Sequence, residues 1–264
     1  MKKQPIGIFD SGLGGLTILK ALREQLPHED FIYFGDTANV PYGSKSKQTV
    51  TRFSAAIAHF LETQHVKLIV IACNTASALA LNELRKQCHT PVLGVIEPGA
   101  LAAVAATKNH KIAVLGTEAT VRSKAYAKAV LKKMPAAQIV QQACPLFVPL
   151  VEENYTRTEA ARLIANDYLA CVKHAHADTL ILGCTHYPIL KPMLAKLLGK
   201  NVCLVDPAQT TALAVEKFLG SSKEQKGKGR LTVYASDDPA RFKRLASCLL
   251  GTPIKTVHLK KLNV

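Results

Sequence analysis

The sequence lacks tryptophan, any C-x-x-C pair and any apolar run of 18 or more residues. Without paired cysteine motifs, its seven cysteines fit neither a disulfide framework nor a structural zinc site. Without a long apolar run, no transmembrane helix is expected, and residues 1–5 lack the apolar region of a signal peptide. We therefore expect a cytoplasmic protein that does not associate with a membrane.

Acidic residues are scarce, because 19 Asp and Glu stand against 34 Lys and Arg and give a formal charge of +15. Such a charge can attract nucleic acid, anionic membranes or small anions. The basic residues are scattered, and the one basic segment, residues 221–230, has no aromatic side chain on which a base could stack. We interpret that segment as a solvated loop and expect no nucleic-acid partner, although a basic nucleic-acid-binding α/β protein is an alternative from another functional class.

Two similar segments indicate an internal duplication. In residues 68–75 (LIVIACNT) and 180–186 (LILGCTH), an apolar run ends in a cysteine that polar residues follow. A strand-like run closed by a hydroxyl residue precedes each segment, and an acid followed by proline comes after each. The matched pairs are Ser11 and Thr117, Cys73 and Cys184, and Glu97 and Asp206, at offsets of 106, 111 and 109 residues.

Alternating strand and helix patterns predict an α/β fold with mainly parallel sheets. Together with the duplication, they predict two pseudosymmetric doubly wound domains with an active-site cleft between them. The first domain is expected to comprise residues 1–97 plus 208–264, and the second residues 98–207. Strands are predicted near residues 5–9, 31–35, 67–72, 91–95, 111–115, 178–183, 201–205 and 231–235.

Two loops contain further candidate binding residues. Residues 10–15 (DSGLGG) lie where a strand turns into a helix, so their amides could bind a small carboxylate, or Asp10 could cap a tight turn. Residues 41–44 (PYGS) follow the second strand, and Gly43 would allow a ligand to approach the main chain.

The duplicated cysteines favour a chemical role over a structural one. A cysteine hydrolase would leave one thiol unexplained. A zinc site of Cys73, Cys184 and His186 has no familiar spacing, and a redox pair would need the thiols within bonding distance. A substrate held between two thiols, each acting as acid or base, fits best. The remaining cysteines are expected to be small buried hydrophobes: Cys88, Cys144, Cys171, Cys203 and Cys248.

Six motifs carry a family resemblance: IFDSGLGGLTIL, YFGDTANVPYGSKS, IACNTASA, GVIEPG, PLFVPLVEEN and LGCTHYP. In order over nearly the whole chain, they resemble the glutamate racemases, within the wider aspartate/glutamate racemase superfamily. The resemblance implies interconversion of L- and D-glutamate, supplying D-glutamate for peptidoglycan, without a cofactor or metal. It also suggests a homodimer. A racemase of the same superfamily acting on aspartate or another amino acid is the nearest alternative.

The resemblance also implies the site residues. Cys73 would deprotonate D-glutamate and Cys184 L-glutamate, with Asp10, His186 and Glu152 as further catalytic residues. One departure is Asn154, where the family often has glycine. The substrate-binding set would be Asp10, Ser11, Tyr42, Gly43, Asn74, Thr75, Thr185 and His186.

Overall fold

A computed structural model describes residues 4–220 and 227–263 of the chain. Most of the basic segment 221–230 and the side chain of Cys248 lie outside the described part, so the predictions about them are not addressed by the structure. No helix among the described residues is long and apolar enough to cross a bilayer.

The described residues form two separate parallel sheets, as the sequence predicts. The first contains six strands: β1 (Ile6–Asp10), β2 (Phe31–Gly35), β3 (Leu68–Ile71), β4 (Val92–Gly94), β9 (Leu231–Ala235) and β10 (His258–Leu259). The second contains four: β5 (Lys111–Gly116), β6 (Gln138–Ala143), β7 (Thr179–Gly183) and β8 (Cys203–Val205).

The strand order carries the duplication into three dimensions. The first sheet runs β10-β9-β2-β1-β3-β4 and the second β6-β5-β7-β8, so the order of the four matched strands is the same in both. β9 and β10 extend only the first sheet, beyond β2. The predicted domain boundaries at 97 and 207 fall close to the starts of two helices, at Ile96 and Pro207, and they stay a prediction.

Helices separate the strands along the chain. They are α1 (Leu16–Gln25), α2 (Lys47–Thr63), α3 (Asn74–Leu79), α4 (Leu81–Gln87), α5 (Ile96–Ala106), α6 (Glu118–Ser123), α7 (Ala125–Lys133), α8 (Phe147–Glu152), α9 (Glu159–His174), α10 (Lys191–Leu198), α11 (Pro207–Leu219) and α12 (Pro239–Leu250), with a 3₁₀ turn at Tyr187–Leu190.

Each sheet is buried on both faces, which is why its central strands are continuously apolar. Along β3, Leu68 and Val70 join one core while Ile69 and Ile71 join another. In β7, Leu182 and Ile181 likewise point into different cores. These strands therefore do not alternate between apolar and polar residues. Packing on both faces holds the strand ends in place.

Two strands were not predicted, and one cysteine prediction is wrong. β6 is an edge strand whose residues are exposed or half-buried, and its three glutamines hide the apolar signal. β10 is a two-residue exposed edge. Cys203 is exposed rather than buried, because it begins the other edge strand of the second sheet. Cys144 is buried as predicted, and Cys88 and Cys171 are half-buried.

Candidate active site

The carboxyl ends of central strands from both sheets open into one small cavity. Cys73 follows β3 and Cys184 follows β7, and both line this cavity. Its volume of about 90 Å³ suits several water molecules or a small polar ligand rather than a nucleotide. The other lining residues are Ser11, Val40, Pro41, Tyr42, Gly43, Ser44, Asn74, Thr75, Thr117, Glu118, Cys144, Pro145, Val148, Thr185 and His186.

The Cys73 thiol is held at the start of α3. Its Sγ accepts the amide of Ala76 at 3.5 Å and lies 3.7 Å from the hydroxyl of Ser11, to which it can donate. Burial and the negative charge of Asp10 raise the pKa of Cys73 to about 12, although the Ala76 and Ser11 contacts oppose this shift. In the free protein this group is therefore a protonated thiol at neutral pH.

Cys184 has a different partner. Its Sγ lies 3.8 Å from Nδ1 of His186, whose Nε2 is 3.2 Å from Oε1 of Glu152. Burial lowers the pKa of His186, but the hydrogen bonds to Cys184 and Glu152 and the charges of Cys184 and Asp10 outweigh it and raise the pKa to about 10. The His186 ring therefore lies between the Cys184 sulfur and the Glu152 carboxylate and contacts both.

Glu152 reaches His186 from the last turn of α8. The turn beyond it is completed by Asn154, whose φ of 57° lies in the left-handed region. Asparagine is among the few residues with a side chain that adopt this conformation at low cost. Asn154 thus adopts here a backbone conformation that glycine also adopts readily.

Asp10 lies beneath the cavity, not in its lining. Its Oδ2 accepts the amide of Gly12 at 3.0 Å, and the hydroxyl of Thr185 lies 3.4 Å from its Oδ1. Burial raises the pKa of this carboxyl, while His186 and the amides of the turn lower it. The amides of the turn therefore hydrogen-bond the Asp10 carboxylate rather than standing free for a ligand. This arrangement agrees with the interpretation of residues 10–15 as a tight turn capped by Asp10.

The 41–44 loop joins the first half of the molecule to the second. The hydroxyl of buried Tyr42 donates to Oδ2 of Asp36 at 2.5 Å. The carbonyl of Gly43 accepts the amide of Ala119 at 3.0 Å. A Cβ on Gly43 would lie only 2.7 Å from the Cβ of Thr117, so the close approach of these two segments requires glycine.

Hydroxyl groups link the halves beside the cavity. The hydroxyl oxygen of Thr75 lies 2.9 Å from that of Thr117 and 3.3 Å from that of Thr120, and these two are 2.9 Å apart. Neutral groups of this kind can hydrogen-bond a carboxylate. The described lining residues include no lysine or arginine, so donors to an anionic ligand would be hydroxyls and amides.

The structure brings most predicted site residues together. The residues predicted to bind substrate line the cavity except Asp10, which supports Thr185 from behind, while Glu152 lies behind His186. Sequence reasoning missed Thr117, although the offset that matched it to Ser11 was a usable signal. Pro41 and Ser44 belong to the 41–44 loop that the sequence singled out. Also missed were Val40, Glu118, Cys144, Pro145 and Val148.

In the described part of the chain, no three His, Cys, Asp or Glu side chains are placed to share a metal ion.

Comparison with known proteins gives the family. The model of the Asp/Glu/Hydantoin racemase family matches residues 13–215, more than half of the 264 residues. The chain belongs to this racemase family. It is therefore an isomerase, as the motifs predicted. A glutamate racemase of Geobacter metallireducens is 49% identical over 261 residues, which cover 98% of this chain and 97% of that protein.

Solved structures agree with the fold. The crystal structure of glutamate racemase from Francisella tularensis in complex with D-glutamate matches with a TM-score of 0.91 and 38% identity, over 99% of this chain and 98% of that one. An aspartate racemase of Picrophilus torridus matches at a TM-score of 0.59 and 20% identity, over 82% of this chain and 94% of that one. The latter likeness concerns the fold alone.

Proposed function

We propose that this racemase interconverts L- and D-glutamate by a two-base proton transfer in which Cys73 and Cys184 act on opposite faces of the α-carbon. The observation that carries the proposal is the placement of the two thiols, which lie at matched strand ends of two halves and line one cavity. Inversion of a stereocentre requires proton removal on one face and delivery on the other. Two facing halves supply that arrangement.

The different environments of the two thiols support the following roles toward L-glutamate. The Cys184 thiolate, paired with protonated His186, removes the α-proton. Cys73, which its surroundings keep protonated, gives its proton to the opposite face, and D-glutamate forms. At the end Cys184 is a thiol and Cys73 a thiolate, so the same atoms run the reaction from D-glutamate in reverse.

The cavity supports this chemistry in two further ways. An α-proton is a much weaker acid than a thiol, so the developing carbanion needs preorganised donors in a site that excludes water. Asn74, Thr75 and Thr185 are buried and line the cavity. No step of the mechanism calls for a cofactor. A cytoplasmic location, which we include in the proposal, would keep both thiols reduced.

Glutamate is preferred to aspartate because full-length relatives near half identity are glutamate racemases, whereas the aspartate racemase likeness is one of fold. We further propose that the D-glutamate supplies peptidoglycan synthesis. Circular dichroism of L-glutamate and L-aspartate solutions during incubation with the protein separates the two substrates. Loss of optical signal from aspartate but not glutamate would overturn the substrate assignment.

Isotope labelling tests the two-base mechanism. In D₂O, D-glutamate formed early from L-glutamate should carry deuterium at the α-carbon, because Cys73 has already exchanged with solvent. The remaining L-glutamate should stay almost unlabelled, since Cys184 returns the proton it removed. Both pools are read by proton NMR after chiral separation.

The same experiment contains its refutation. A single base serving both faces would carry the substrate hydrogen into the product. Cys73→Ala and Cys184→Ala should each abolish racemisation, and near-normal turnover in either variant would remove that thiol from the mechanism. The control variant Cys88→Ala removes a half-buried thiol outside the described cavity lining and should retain turnover.

A further inference from the structure

Tyr126 is a buried residue that contacts the segments carrying both thiols. It lies on α7 in the second half and is fully buried. A Cβ on Gly183, the residue before Cys184, would lie 3.1 Å from its ring. On another side, a Cβ on Gly99 would lie 3.2 Å from the ring, so two glycines leave a slot that fits this aromatic side chain.

The Tyr126 hydroxyl crosses to the first half. It donates to Oδ1 of Asn74, the residue after Cys73, at 2.6 Å. Burial, together with the charges of Cys184 and Asp206, raises the pKa of Tyr126 above its ordinary value, so the group remains a hydrogen-bond donor. Because the oxygen of the amide accepts this bond, the orientation of the Asn74 side chain is set from the opposite half.

We infer that Tyr126 is a positioning residue that turns the NH₂ group of Asn74 toward the substrate. The oxygen and nitrogen arms of an amide diverge, so fixing Oδ1 on Tyr126 leaves Nδ2 for the cavity that Asn74 lines. No protein acceptor for Nδ2 is seen among residues 4–220 and 227–263. The reversed amide would present an oxygen to a carboxylate and repel it.

This orientation matters because the described cavity lining has no lysine or arginine to hold an anion. Each neutral donor then carries a larger share of carboxylate binding, and its direction has to be correct before the ligand arrives. The inference rests on the proposed glutamate substrate, since it needs a carboxylate in the cavity. It adds a residue that the motifs did not include.

A double-mutant cycle tests the inference. Tyr126→Phe keeps the ring and removes only the hydroxyl, so we expect KM for glutamate to rise about tenfold, the effect of one net hydrogen bond, with kcat changing less than about threefold. In an Asn74→Ala background the same change should alter KM by less than about twofold. An unchanged KM in Tyr126→Phe, or equal effects in both backgrounds, would overturn the proposal.

Tyr187→Phe is the matched control, since it removes another fully buried hydroxyl of the second half, which donates to the carbonyl of Cys144 at 3.0 Å. The effect of Tyr187→Phe on KM should be the same with and without the Asn74 side chain. The fall in Tm that it causes measures the loss of stability expected from removing a buried hydroxyl that has only a structural role.

If Tyr126→Phe does not fold, Gly99→Ala replaces it, because the added methyl would lie 3.2 Å from the Tyr126 ring and 3.3 Å from its hydroxyl oxygen. The tyrosine then has to shift by a few tenths of an ångström, although its hydroxyl group is retained. A rise in KM that disappears in Asn74→Ala would support the inference, and a rise that persists there would refute it. Wild-type protein without glutamate turnover would refute the proposed function instead. Turnover with an additive cycle refutes only the role of Tyr126.

Discussion

Glu152→Gln tests how the charge beside Cys184 is maintained. Glu152 lies 3.2 Å from Nε2 of His186, and glutamine keeps the size of the side chain while removing its charge. A hydrogen bond to a charged group contributes about 1.5–3 kcal/mol. Because 35% of the Glu152 side chain is exposed, we discount this for solvent screening to about 1.4 kcal/mol, or about one pKa unit.

The direction of the effect follows from the raised pKa of His186. The folded-state pKa is about 10 against an ordinary 6.5, so the protonated form contributes stability fully below about pH 6.5 and loses that contribution as pH rises to about 10. Losing the Glu152 charge lowers the folded-state pKa. The alkaline limb of kcat/KM should therefore move to lower pH by about one unit.

The assay is the pH profile of racemisation followed by circular dichroism, in both directions. Because the two enantiomers are equally stable, kcat/KM must be the same from either side, and the shift must appear in both. Glu153→Gln is the control, since it removes the neighbouring exposed acid, for which no contact with His186 is seen among the described residues. An unmoved profile in Glu152→Gln, or an equal shift in Glu153→Gln, would refute the reasoning.

Two further changes probe the packing and protonation of the site. Gly14→Ala would place a methyl against Thr185 and 2.8 Å from Nδ1 of His186, so kcat/KM should fall at least tenfold. Gly12→Ala is the control, because its methyl would meet Val40 at an ordinary 3.5 Å and should have a much smaller effect. Equal losses of kcat/KM in the two variants would contradict this reasoning. The pKa of Cys73 is raised to about 12, so iodoacetamide should modify the exposed Cys203 well before Cys73 at pH 7. The rate of Cys73 modification, followed by mass spectrometry, should rise about tenfold for each pH unit up to pH 9. Equal rates for the two cysteines at pH 7 would be inconsistent with the protonation state assigned to Cys73.

The sequence predicts those site residues that directly follow a recognisable strand. Cys73 and Cys184 each follow an apolar run, and parallel strands bring such ends to one edge of a sheet. The contact of Glu152 with His186, 34 residues away, has no local signature and depends on how α8 packs. The same holds for Tyr126 and Asn74, 52 residues apart. These contacts become visible only in the folded chain.

Strand prediction succeeded for the same physical reason and failed where that reason does not apply. Strands buried on both faces read as apolar runs, so all eight predicted strands are present within a few residues. β6, at the sheet edge, needs no apolar residues on its outer side. Edge position likewise explains exposed Cys203. An apolar run in the sequence therefore indicates that a segment is buried, and it indicates a strand only where the strand is buried.

The unequal sheets have a consequence for synthesis on the ribosome. The four-stranded sheet comes from one continuous stretch, residues 111–205, whereas the six-stranded sheet combines residues 6–94 with β9 and β10 at 231–259. The edge of β2 that pairs with β9 therefore stays unpaired while well over a hundred intervening residues are translated. Although its strands begin earlier in the chain, the first half is the last to be completed, and the nascent chain must protect an open strand edge until then.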